Sequence, residues 1–200
     1  MNFNAIIKRA IAIITKPNDE WQVIKNETMS IADMFTKYAI ILAAIPAIAG
    51  FIGYGLIGIS VGFGTFRIPL GRCLIWAIFM YALSLVGVYL TAFIMDALAP
   101  SFGSQKDMNR SLKVVVFSWT PVWIAGILYI IPSIAVIVWI ASLYALFLLY
   151  IGMKSLKEPP QDKLMGYFIV TLVINVVVLF LVGFIVSTIA FGSARAFFMF

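Results

Sequence analysis

The 200-residue chain has no histidine, one cysteine (Cys73) and few charges, Asp, Glu, Lys and Arg making up 11% of it. Without an imidazole, histidine-based acid-base catalysis and histidine-ligated metal sites are excluded. A single cysteine closes no internal disulfide and makes no CxxC metal or redox pair. No Ser-Lys or Ser-His arrangement stands at helical spacing, and the glycine-rich stretch 53–64 lacks the Lys-Ser/Thr of a phosphate loop. The expectation is therefore a protein without a cofactor that is not an enzyme, and the glycine-rich stretch is read as a flexible helix exit and loop.

What is present is apolar. Hydrophobic residues make up 64% of the chain, more than a soluble domain can bury. They gather in runs long enough to cross a hydrocarbon core of ~30 Å, which needs roughly 20 helical residues. Lipid offers free backbone groups no partner, so each run is expected to be helical. The predicted fold is an all-α, polytopic membrane protein with five transmembrane helices at about 35–59, 73–96, 114–131, 134–153 and 164–189. Residues 1–34 are read as a cytoplasmic or interfacial amphipathic region, and 35–200 as the membrane domain.

In that first region Phe3, Ile6, Ile7, Ala10, Ile11 and Ile14 recur at helical spacing, with Lys8 interleaved. This predicts an amphipathic helix in the membrane interface rather than a cleaved signal peptide, since no small-residue cleavage site follows. Pro17 ends it, and a second short helix over 20–27 is expected to turn Trp21 and Ile24 toward the lipid headgroups. Ser30 to Asp33 and Ser104 to Asp107 both have capping-box spacing and predict helix starts.

Five residues stand out as functional or structural candidates. Asp96 ends the second run, where the water interface and a loop-anchoring role are expected rather than an intramembrane active group. Pro121 interrupts the third run and predicts a kink, with Ser118 and Thr120 placed to satisfy the carbonyls it frees. Asn175 falls near the middle of the fifth run, where an amide usually bonds to another helix.

The net charge of +6 comes from basic residues scattered between apolar runs, with no dense patch for nucleic acid. With the N-terminus inside, Lys8, Arg9, Lys16, Lys25, Lys37, Lys106, Arg110, Lys113, Lys154, Lys157 and Lys163 fall on one side of the membrane. Arg67, Arg72 and Arg195 fall on the other, so the fourteen cations divide eleven to three. That bias predicts five spans with the N-terminus in the cytoplasm and the C-terminus outside.

The order of short motifs resembles the Yip1 family, in its bacterial branch. The residues that carry the likeness are Lys16-Pro17 with Trp21 and Glu27, Gly103-Ser104, and the run from Val116 to Trp123 containing Ser118-Trp119-Thr120-Pro121. Ile131-Pro132, Leu143-Tyr144, Tyr150-Ile151-Gly152, the Pro159 to Lys163 loop and Gly166-Tyr167 complete it. The resemblance implies a five-helix membrane domain in the bacterial inner membrane. Through the eukaryotic branch, which is associated with Rab GTPases, it also implies a link to vesicle formation and membrane shaping. The interfacial helix, the basic cytoplasmic face with its eleven cations and the near absence of charge within the runs order three functional classes. First comes a membrane-shaping or scaffolding protein whose partners are the bilayer, anionic lipids at the cytoplasmic face, and a protein partner or second copy. A small transporter or channel comes second, and an intramembrane enzyme last.

Overall fold

A computed structural model describes residues 3–61 and 64–191. The aromatic tail with Arg195 lies outside the described residues. Two short helices, α1 (Phe3–Thr15) and α2 (Pro17–Asn26), precede five helices long and apolar enough to cross a membrane. These cover Ile31–Ile57, Leu70–Phe102, Met108–Ile130, Ile137–Lys157 and Gln161–Ile185, close to the runs read from the sequence.

Local chemistry sets the helix ends. Pro17 opens α2, where its missing N–H costs nothing, Asp19 and Glu20 occupy its first turn and Lys25 its last. The first span begins with α3 (Ile31–Met34), whose Ser30 hydroxyl accepts the Asp33 N–H at 3.1 Å, as its capping spacing predicts. It continues through a π turn into α4 (Ile40–Gly50), which carries Pro46 inside, and a second π turn over Phe51–Ile57. The glycine-rich stretch is thus not a loose loop: its first part is helical, and an antiparallel ribbon follows, β1 (Ile59–Val61) against β2 (Gly64–Phe66).

The second span is α5 (Leu70–Leu98), extended by a 3-10 turn to Phe102. Its successor breaks into α6 (Met108–Ser118) and α7 (Thr120–Ala125), the kink that Pro121 predicts. Asp107, not Ser104, caps α6: its carboxylate accepts the Arg110 N–H at 3.0 Å, while the Ser104 hydroxyl donates to the Lys157 carbonyl. Two 3-10 turns around Pro132 lead into α8 (Ile137–Gly152), so the fourth span starts a few residues later than the sequence reading. α9 (Gln161–Phe191) forms the last span.

Every residue from Ser111 to Ser118 is buried, which makes α6 the central helix, packed against α5 and α8. α9 packs along α5 and meets α8 only slightly. The two N-terminal helices close one end of the bundle, called here the capped end. Trp21 and Ile24 are 0% exposed and share a core with Met34, Phe117, Leu148 and Met153. This corrects the expectation that they face headgroups, since a helix half so apolar can satisfy itself equally against lipid or against a neighbour. The fit is close: a Cβ on Gly152 would lie 2.7 Å from the Trp21 ring, so α2 rests directly on the α8 backbone.

Candidate functional site

At the capped end, polar groups from distant parts of the chain converge on Asp96. Its Oδ1 accepts the Asp107 N–H at 2.7 Å, the Ser111 hydroxyl at 3.1 Å and the Lys157 ammonium at 3.0 Å. Lys157 has a side chain 0% exposed and also donates to the carbonyls of Gln105 at 2.8 Å and Asp107 at 3.4 Å. One carboxylate therefore holds the loop after α5, the first turns of α6 and the end of the fourth span. Oδ1 is thus committed to three donors, which tie these segments together.

A second cation performs a similar task for the N-terminal helices. Lys113, on the buried helix α6, donates to the carbonyls of Ile24 at 3.0 Å and Glu27 at 2.5 Å, at the C-terminal end of α2. Arg9 bridges α1 to the next helix through Glu20 and Glu27, both at 2.5 Å, and lies 5.7 Å from the Phe117 ring centre. Asn109 donates to the Met29 carbonyl at 2.7 Å, and Tyr144 to that of Ile14 at 2.7 Å. Glu158 pairs with Lys25 and, at 3.5 Å, with Arg110. Those two cations, Lys25 first, hold its carboxyl below the usual carboxylate range.

The other candidates lie deeper. Thr120 shares a hydrogen bond of 2.8 Å with the Tyr38 hydroxyl, and Ser118 Oγ is buried without a partner among the described residues. Neither hydroxyl caps a carbonyl freed by Pro121, contrary to the sequence reading; the tyrosine from the first span competes for Thr120. The Thr91 hydroxyl donates to the Gly87 carbonyl at 2.7 Å and, over 3.4 Å, shares its proton with Asn175 Oδ1, so the midspan amide makes a long polar contact to another helix. Asn175 also borders a cavity of about 410 Å³ between the spans, with Trp76, Trp119 and Tyr129 in its walls. The structure thus brings none of Ser118, Thr120 and Pro121 together with Asp96. Among the described residues no three acidic or cysteine side chains gather as metal ligands.

Sequence reasoning missed Lys157, Lys113, Glu158, Tyr38 and Thr91. Both lysines entered only as orientation charges. Their one sequence signal is a position against long apolar runs, where a cation needs a partner.

A helical bundle of five spans, one end closed by two short helices, defines a polytopic integral membrane protein. Residues 11–194 match the Yip1 domain, and the chain belongs to the Yip1 family. It is similar to inner membrane protein YohC of Escherichia coli K12, with 27% identity over 171 residues, 84% of this chain and 88% of that protein. The same figures hold for inner membrane protein YohC of Escherichia coli O6:H1. No solved structure matches.

Proposed function

We propose that the protein organises the bilayer, or holds a partner against it, at the capped end, with that end in the cytoplasm and the bundle in the bacterial inner membrane. The relatives' names support the membrane, and the division of cations supports the orientation. One observation carries the reading. α1 is fixed to the bundle through Ile6, Ala10 and Ile13, while Phe3, Ile7 and Ile11 on the adjoining stripe are exposed. An apolar stripe held rigidly at the membrane surface inserts as a wedge, and its area acts on one leaflet. Of the eleven cations assigned to this side, Lys113 and Lys157 are buried and Arg9 is held inward by Glu20 and Glu27, leaving eight to attract anionic headgroups at ~1 kcal/mol for each one near the surface.

The test is reconstitution into vesicles containing anionic phospholipid, with vesicle diameter and partner retention as readouts. The expected result is smaller or tubulated vesicles with wild type and unchanged ones with Ile7→Glu/Ile11→Glu; identical behaviour of the two proteins overturns the reading. A small transporter or channel is the alternative, and the cavity bordered by Asn175 is the observation in its favour. Solute flux into proteoliposomes that Asn175→Leu abolishes would establish it.

A further inference from the structure

The cavity of about 410 Å³ is too large to be a packing defect. Its walls run from Trp76 to Val88 along α5, roughly 18 Å at a rise of ~1.5 Å per residue. Asn175, at its deep end, is near the middle of the last span, so the space lies at hydrocarbon depth. A void of this size left empty forfeits dispersion contacts over its whole surface. Water is a poor filler, because a buried water needs two to four polar partners. Three of the wall's hydroxyls spend their protons on carbonyls: Ser84 donates to that of Tyr81 at 2.9 Å, Ser142 to that of Val138 at 3.1 Å, and Tyr81 to that of Ile40 at 3.1 Å.

The space is also open to the side. Ser142 and Trp139 of α8 line it opposite Val182 and Gly183 of α9, and these two helices barely touch. Trp139 is 72% exposed although it borders the cavity. The surrounding medium at that depth is lipid chain. The geometry points to a binding site for one acyl chain of a bilayer phospholipid, entering between α8 and α9 and lying against Trp76, Trp119 and Trp123. The bound chain completes the packing of the five spans in the half away from the capped end.

Four of the five tryptophans, Trp76, Trp119, Trp123 and Trp139, line the space, which gives the test its signal. Trp139→Phe removes the one most open to ordinary boundary lipid. In vesicles of phosphatidylcholine brominated along its chains, this variant should emit about twofold less than in unbrominated vesicles, since bromine quenches only on contact. Filling the space with Ser84→Phe, or independently from another helix with Ala47→Leu, should restore most of the emission. Native mass spectrometry of the detergent-extracted wild type should retain one phospholipid, and the filled variants should lose it. Two results overturn the inference: brominated chains that quench filled and unfilled proteins equally, or acrylamide from the aqueous phase that quenches the unfilled protein in their place.

Discussion

The two halves of the bundle are held together by different means. At the capped end, ion pairs and hydrogen bonds join residues far apart in sequence: Lys157 to Asp96, Lys113 to Ile24 and Glu27, Lys25 to Glu158. In the other half, Tyr54 meets Trp76 and Tyr129 at ring separations of 5.8 and 6.5 Å, and the serines bond within their own helices. Directional bonds fix one arrangement, because a lost partner leaves a polar group stranded. Aromatic and aliphatic walls tolerate adjustment, because dispersion has little directional preference. The molecule therefore pairs an end held in one arrangement with a half whose walls can adjust.

The contrast is broken most severely at Lys157. Replacing it with Met leaves Asp96 without its cation and strands the Gln105 carbonyl, and should lower stability by about 3–5 kcal/mol. Denaturant titration in detergent measures this loss, and adding Asp96→Asn should recover part of it. Gly152→Val comes next, at about 1–3 kcal/mol, because the new side chain meets the Trp21 ring. Its readout is local, since limited proteolysis should cut between α2 and the first span while the five spans stay intact. Tyr38→Phe should cost about 1 kcal/mol by leaving the buried Thr120 hydroxyl without its partner, measured by thermal unfolding.

The smallest effect is one of pH. The folded-state carboxyl of Glu158 titrates below its unfolded value, so its contribution is complete above the unfolded pKa and disappears as pH falls through the lower, folded one. The pair is exposed and contributes no more than about 1 kcal/mol. Glu158→Gln should remove that acid-side loss, seen as a flatter dependence of unfolding temperature on pH below the neutral range.

The spans were legible because membrane thickness sets run length, and the kink because Pro121 lacks a donor wherever it stands. Asp96 was legible as a candidate from its position at the end of a run. Its partner was not, because Lys157 lies 61 residues away and resembles any loop cation. Trp21 shows the same limit: its pattern signals an apolar environment without saying whether lipid or protein supplies it. Pro46 passed unnoticed inside an unbroken apolar run, and it meets Gly126 where a Cβ would come within 2.5 Å of its ring. The cavity is a property of several helices together, which no single stretch encodes.

The docking of the N-terminal helices also sets an order of events during synthesis. α1 and α2 are made before the five spans, yet Tyr144, Gly152 and Glu158, which help hold them, are among the later residues, up to 133 residues downstream. The third span gives these helices a first seat, through Lys113, Asn109 and Phe117, and the fourth completes it; until then their apolar sides must be sheltered by the membrane surface or by a chaperone. Closure of the capped end is therefore a late step in maturation, and a ribosome stalled before residue 108 would carry a nascent chain with its apolar stripe still unanchored.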